Sequence, residues 1–498
     1  MSKAVVLTRL GVLATTVLGR DPGLSTPEEY ARVLAPAVNG DTNLLWLTQA
    51  AIAAVLPLHD DFERFRRDAA LNGAAAAIGR QVARSSRVLA PNRSVQIRIA
   101  TDTVIVDVHH TARTGLATGI QRVVRQTIQQ WNSKAEVELV GWDSSFTGLR
   151  HLSEPERQNA LYGSVPRIAR PREWVLTIPF RTTYILPELA IEQGRTDRIS
   201  CLAEFSGNQT TVIGFDCVPL TSSETVGEGM SAAFAKNLSA LAHFDRVSTI
   251  SRASATEYAG WKRMLSGAGL AGPEIEPLLL PSVAEEVSAD DFERAREQLL
   301  SGQSTGSDAP LVVCVGSHEP RKNHLAVLYA AERLWLEGVS FQLVFIGGNG
   351  WNGAAFAEQL ARLTNDGWPV KAISAVSDSL LWSAYRLAYL TVFPSLNEGF
   401  GLPVGESLSA GTPVVTSGFG SMKEIAAAGG AIFVDPRDDD DVYRGMRAGL
   451  LDEELHARLV AEAAELPSRG WSDYAAALWQ YFVPQSVAPE SERPASVT

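Results

Sequence analysis

The chain has 498 residues, 45% apolar and 20% charged, with three cysteines and a formal net charge of −12. That length exceeds one ordinary hydrophobic core and predicts two large domains plus an extra piece. The negative balance disfavours non-specific nucleic-acid binding, so a phosphate-bearing ligand would need a local cationic pocket.

Residues 1 to 95 read as helical and alanine-rich, without strand alternation. The opening MSKAVVLTRLGVLATTVLG mimics a signal peptide. Arg9 interrupts its apolar run, however, and no small-residue cleavage site precedes Asp21, so an amphipathic helix is expected. Ser25 or Thr26, followed by Pro27 and two glutamates, predicts a capped helix start. Arg80, Arg84 and Arg87 share one helix face. A solvated face is the plain reading, and peripheral contact with an anionic membrane is the alternative.

The texture changes at Thr103. VIVDV, WVLTI, TTYIL, TTVIGF and RVSTI are strand candidates, with helices predicted over Gly119–Trp131, Ser231–Ala242 and Ala253–Met264. Ser301–Pro310 reads as a linker. A second alternation follows: LVVCVG, FQLVFIG, VKAIS, LTVFP and PVVTS as strands, with helices after Asn323, over Ala354–Leu363, over Ser379–Leu387 and after Pro403. The expected division is a helical accessory region (1–95), a first Rossmann-like domain (96–285), a linker (286–310), a second Rossmann-like domain (311–470), a returning helix (471–485) and a disordered tail (486–498). Cys201, Cys217 and Cys314 lie in or beside apolar runs without metal-ligand spacing. They read as buried thiols of a reducing compartment, hence a cytoplasmic chain, with the inner membrane face as a further option.

The most informative stretch is FPSLNEGFGLPVGES, Phe393 to Ser407. A strand end, a two-glycine turn and a helix start bring backbone N–H groups and a helix dipole to one point, where a phosphate is stabilised. Gly399 and Gly401 permit backbone angles closed to other residues. Glu398 and Glu406 flank the turn, and two carboxylates beside an anion site suit sugar and ribose hydroxyls. Gly316–Asn323, GSHEPRKN, repeats the strand-to-helix geometry and supplies Arg321 and Lys322 as local positive charge. In the first α/β region, TGLATGIQRVVR places Gly115 and Gly119 before a helix. His109 and His110 stand at the end of VIVDV. GFDCVPL carries Asp216 at a strand end, where an Asx turn and an acceptor-orienting role weigh equally. Ser251 opens a helix that can add hydroxyls to the same cleft. The Asp438–Asp441 run reads as a helix start, not a metal site.

EGFGLPVGESLSAGTPVV resembles the signature of family 4 glycosyltransferases, which carry a Glu-x7-Glu pattern. The resemblance extends through VGSHEPRKNH, VSDSLLWSAYRLAYLTVFPS and GGAIFVDPRD; it is strong over about 313–442 and weaker over about 104–281. It implies an α/β chain of GT-B fold: two doubly wound Rossmann-like domains facing a cleft, the first for the acceptor and the second for the donor. It also implies a retaining transfer of a mannose-, rhamnose- or glucose-type sugar from a nucleoside-diphosphate sugar to a glycan, lipid-linked or small-molecule acceptor, without a metal or other cofactor. LGRDP weakly resembles a motif of helical modules on bacterial surface-polysaccharide proteins, in line with polysaccharide or glycoconjugate assembly. Glu406 matches the glutamate that holds the ribose, and Glu398 the one near the donor sugar. Gly399, Phe400, Gly401 and Leu402 would offer amides to the sugar or diphosphate, and the Gly119 loop would face the phosphates. Val376 sits where members contact the base through the main chain, although Ala375 stands where many carry glycine. Ser317 occupies a position where many place arginine, while Lys322 matches their lysine. Asp216 is retained where Phe215 replaces a common histidine, leaving acceptor contacts to Asp216, His109, His110 and Ser251. A GT-B isomerase or epimerase, a glycoside hydrolase and a non-catalytic sugar-nucleotide binder remain as alternatives. The nucleotide base and oligomeric state stay open.

Overall fold

The computed structural model describes residues 2–87, 92–115, 118–164, 174–300, 309–466 and 469–483. The expected tail and most of the expected linker Ser301–Pro310 lie outside those residues.

Five helices open the chain: Ser2–Leu18, Pro27–Val38, Thr42–Ala53, His59–Asn72 and Ala74–Ser85. The second begins with a capping box. Thr26 Oγ1 accepts from Glu29 N–H at 3.3 Å, and the Glu29 carboxylate accepts from Thr26 N–H at 3.0 Å. Arg9, the charge inside the apolar first helix, is buried. Its guanidinium donates to Val95 O at 2.6 and 2.9 Å and to Ile52 O at 2.9 Å. A buried cation stays satisfied when its forked donors meet carbonyls. Val6, Leu10, Leu13 and Trp46 share one apolar core with Ile97, Leu176 and Val212 of the first sheet.

Among the described residues, fifteen strands follow: β1 Gln96–Ala100, β2 Val104–Asp107, β3 Val137–Trp142, β4 Leu149–His151, β5 Val175–Pro179, β6 Thr183–Leu186, β7 Gln209–Gly214, β8 Arg246–Thr249, β9 Glu274–Pro277, β10 Leu311–Val315, β11 Gln342–Ile346, β12 Val370–Ile373, β13 Leu390–Phe393, β14 Val414–Ser417 and β15 Ala431–Val434. They form a nine-stranded sheet in the order β1-β5-β4-β3-β2-β6-β7-β8-β9 and a six-stranded sheet in the order β12-β11-β10-β13-β14-β15. The second sheet is parallel throughout. Every residue of β11, β13 and β14 is buried, as helices on both faces of a parallel sheet require.

The strand order places the site. After β10 the chain runs outward through β11 and β12, then returns to the other flank of β10 as β13. Helices therefore diverge between β10 and β13, leaving a crevice at the carboxyl ends of those two strands. The segments 316–323 and 394–401 border that crevice.

The helix Ala289–Leu300 packs against Asp378–Leu387 beside the second sheet. The last described helix, Trp471–Phe482, returns to the first unit and packs on Gly119–Lys134. Trp131 Nε1 donates to Ala475 O at 2.9 Å, and Phe482 is fully buried. No helix among the described residues is long and apolar enough to cross a membrane.

Candidate functional site

Glu398 ties together the two loops of the crevice. Lys322 Nζ donates to Glu398 Oε1 at 2.7 Å, Arg321 lies 2.5 Å from Oε2, and Ser395 Oγ donates to Oε1 at 2.6 Å. Main-chain contacts fix the same junction. Leu396 N–H donates to Arg321 O at 2.8 Å, and the Arg321 guanidinium donates to Asn397 O at 2.8 Å. Burial by itself would raise the Glu398 carboxyl, but the charges of Arg321 and Lys322 outweigh it and bring it down to about 2. Glu398 is thus a fixed anion across the neutral range. The Arg321 guanidinium is held above its ordinary value by Glu398 and Glu319 against the opposing effect of burial. Ser317 Oγ donates to Glu319, which also pairs with Arg321. Ser317 is thereby linked to the cluster through Glu319. A short 3₁₀ turn, Pro320–Lys322, and left-handed Asn323 separate this loop from the helix His324–Leu336, so the helix starts after the cations.

Glu406 lies one turn into the helix Leu402–Ser409 and is buried. Tyr385 Oη donates to its Oε2 at 2.8 Å. Arg122, which the sequence reading did not single out, meets Oε1 at 2.5 Å from the helix Gly119–Lys134 of the first unit. Burial raises the Glu406 carboxyl, and Arg122 and Tyr385 oppose that rise. Val376 is half-buried in the loop before Asp378–Leu387 and packs against an apolar cluster that includes Leu380 and Ala384 of that helix. Ala375 beside it has φ of 52°, the left-handed angle that glycine adopts without strain, so the loop keeps a glycine-type bend without a glycine.

The turn between the two glutamates touches the first unit. Gly401 has φ of 97° and caps the helix start, with Leu402 first and Pro403 second in the helix. Gly399 does not take a positive φ, contrary to the backbone-angle reason expected for it. Its glycine is a matter of space: a Cβ there would meet Asp216 Oδ2 at 2.6 Å and Phe215 O at 2.9 Å. Gly399 O accepts from Ser251 Oγ at 2.6 Å and Ser254 Oγ at 2.9 Å. Phe400 is buried in a core it shares with Val106, Ile213 and Leu280. A Cβ on Gly119 would lie 3.4 Å from Leu402 Cδ1. The Glu424 carboxylate accepts from Arg252 N–H at 3.0 Å and Ala253 N–H at 3.3 Å, capping a first-unit helix from the second unit. Asn397 Nδ2 donates to Ser222 Oγ at 3.0 Å.

The structure therefore brings Glu398, Arg321, Lys322, Asp216, Gly399 and Ser251 together, with Glu406 on the far side of the turn. Asp216 Oδ1 accepts from Val218 N–H at 3.1 Å, the Asx-turn bond, while its Oδ2 faces Gly399. Two expected acceptor residues are already committed elsewhere. Ser251 is fully buried; its Oγ accepts from Ser254 N–H at 2.9 Å and donates across to Gly399 O, so it braces the two units. His109 is buried, and its Nδ1 accepts from Trp142 N–H at 2.9 Å. Burial, helped by Arg195 and Arg113, pushes its imidazole down to about 2, so it stays neutral. His110 is half-buried with Nδ1 3.3 Å from Gln121, and its N–H donates to Glu188 at 2.6 Å. Beneath it, Arg195 joins Asp107 at 3.0 Å to Glu188 at 2.8 Å. That buried triad fixes the loop after β2.

Chemically, the crevice offers two cations held by one carboxylate, a second carboxylate with hydrogen-bonding capacity, and a half-buried aspartate across the junction. Among the described residues, no group of three or more His, Cys, Asp or Glu side chains is placed to hold a metal ion.

Residues 295–466 match the family model described as glycosyl transferases group 1. The chain is 27% identical over 337 residues to the serotype-specific mannosyltransferase WbdA of Escherichia coli, covering 65% of this chain and 40% of that protein. It spans about two-fifths of the length of the first curated relatives it matches. Among solved structures, sucrose-phosphate synthase from Thermosynechococcus elongatus superposes with a TM-score of 0.53 at 16% identity, over 76% of this chain and 96% of that one. Anabaena HepE in complex with UDP and glucose gives 0.51 at 13% identity, over 77% and 96%. The architecture is the two-domain GT-B fold, preceded here by the helical segment, and the sequence is related to mannosyltransferases.

Proposed function

We propose that the chain is a retaining glycosyltransferase that moves a sugar from a nucleoside-diphosphate donor to an acceptor hydroxyl. The observation that carries this reading is the Arg321–Glu398–Lys322 cluster at the switch point of the second sheet, with Glu406 across the glycine turn. An anionic leaving group needs preorganised positive charge, and a cluster fixed before the ligand arrives spends no reorganisation at the moment of reaction. The likeness to a mannosyltransferase supports mannose as the first donor sugar to try, and surface glycan as the first acceptor class. The HepE structure with UDP and glucose accords with a nucleotide-sugar donor.

In this reading Glu406 accepts the ribose hydroxyls, and Val376 meets the base. The amides of Gly399–Leu402 and the Gly119 loop face the sugar and diphosphate. Arg321 and Lys322 share their donors between Glu398 and the departing diphosphate. Glu398 holds both cations in place; its low proton affinity bars it from acting as an acid, and its tight pairing makes it a poor nucleophile. That favours a front-face route. The bond from the anomeric carbon to the diphosphate oxygen breaks, the acceptor oxygen bonds to that carbon on the same face, and the acceptor proton passes to the leaving diphosphate. Asp216 orients the acceptor. The roles need no metal, and the three buried free thiols suit a reducing, cytoplasmic setting.

Replacing Lys322 with alanine should lower turnover with saturating donor by roughly 10²–10³-fold, the effect of removing one such contact. Wild-type turnover in Lys322→Ala would remove the leaving-group role. Product analysis separates the alternatives: free sugar as the main product with acceptor present would make the chain a hydrolase, and donor conversion without any acceptor would make it an isomerase or epimerase.

A further inference from the structure

Glu406 belongs to the second unit and is buried, and Tyr385 gives its Oε2 a neutral hydroxyl. Its cationic partner comes from the first unit. Arg122 sits on the helix whose first residue, Gly119, abuts Leu402, and its guanidinium lies 5.8 Å from the Trp382 ring centre. Its other terminal nitrogen is 3.6 Å from Glu285, on the segment that joins the two units. Parting of the units would withdraw Arg122 and leave Glu406 without its cationic partner. Closing them restores the pair.

The pair leaves acceptor capacity on the Glu406 carboxylate. A carboxylate offers about four lone-pair sites, and Arg122 and Tyr385 use one on each oxygen. Ribose hydroxyls can take the remainder. Arg122 also offsets the Glu406 charge, which would otherwise repel the diphosphate nearby.

On the reading of the cleft as a donor site, we infer that Arg122 is a positioning residue supplied across it. Closure sets its guanidinium on Glu406 and orients that carboxylate for the ribose of a nucleoside diphosphate. Donor binding and closure are then coupled through one ion pair, and sugar nucleotides bind the closed molecule.

Calorimetric titration of the full chain with ADP, GDP, UDP and dTDP identifies the tightest ligand. That ligand is then titrated into Arg122→Gln, Arg122→Lys, Glu406→Gln and the Arg122→Gln/Glu406→Gln double variant. Arg122→Gln should weaken binding about tenfold or more, as truncating one partner of a buried charge pair does. Arg122→Lys should recover most of the loss. In the Glu406→Gln background, Arg122→Gln should add less than about twofold, the non-additivity of residues acting through one contact. Melting temperatures report folding separately; should Arg122→Gln fail to fold, Arg122→Met, which keeps the stem packed, replaces it. Unchanged or tighter binding by Arg122→Gln, or additive losses in the double variant, would overturn the inference. Wild-type protein that binds none of the four diphosphates would overturn the donor-site reading and this inference with it.

Discussion

At Asp216, burial and the nearby carboxylates of Glu257 and Glu398 push the carboxyl up to about 6, against the pull of Arg321. A carboxyl whose folded value is raised stabilises the fold in its protonated form. That contribution is complete below its unfolded value near 3.8 and is lost as pH rises through 6. Asp216→Asn should therefore gain stability relative to the wild type by about 3 kcal/mol at pH 8 and nothing at pH 3.5, measured as urea midpoints at both pH values. If the ionised form orients the acceptor, kcat/KM should also fall on the acid side near pH 6, and that limb should vanish in the asparagine variant. Ala375 makes the opposite kind of prediction. Its left-handed angle strains a Cβ, so Ala375→Gly should be neutral or stabilising by up to about 1 kcal/mol, where an ordinary Ala→Gly change destabilises. A loss above that size in chemical denaturation would contradict the strain.

Elements were legible in proportion to how apolar they are. The strands β10, β11, β13 and β14 read directly as buried runs because helices cover both faces. Strands β1, β3, β4, β9 and β15 did not stand out. Arg98 of β1 pairs with Glu138 of β3, and β9, Glu274–Pro277, is an edge strand whose charges face solvent and Arg246. Charge and proline on an edge strand guard against further pairing, and they also hide the strand from a reading based on apolar runs. The Glu398 turn was legible because a strand end, two glycines and a helix start coincide in sequence. Arg122 was not, because one arginine on an amphipathic helix looks like surface until the other unit is in place. The burial of His109 and Ser251 was hidden for the converse reason: backbone partners cannot be seen in a polar side chain's letter. Gly399 illustrates what the turn contributes. Adding one methyl there forces Asp216 and the Phe215 carbonyl away. Gly399→Ala should cost about 1–3 kcal/mol in unfolding free energy, the usual effect of overpacking, and should weaken contact between the units. Unchanged stability and unchanged small-angle scattering would show that the junction yields freely.

Across the whole molecule, the two units meet through polar struts and an apolar contact that includes Phe400, Leu402 and Ile425. Ser251 and Ser254 hold Gly399 O, Glu424 caps the helix Arg252–Gly267, Asn397 reaches Ser222, and Arg122 holds Glu406. Several of these struts end on the turn flanked by Glu398 and Glu406, so on the proposed reading the state of the cleft and the state of the site are the same variable. The net charge of −12 makes the point sharper: an acidic molecule would attract the proposed dianionic donor only through charge placed locally, such as that of Arg321 and Lys322. The direct test is thermal and chemical denaturation of the wild type and of Lys322→Ala with GDP-, UDP- and dTDP-sugars. A donor at about 100 times its dissociation constant should stabilise the wild type by about 2.7 kcal/mol, and Lys322→Ala should lose most of that gain. No stabilisation of the wild type by any of these sugar nucleotides, or an equal gain in Lys322→Ala, would contradict the donor-site account.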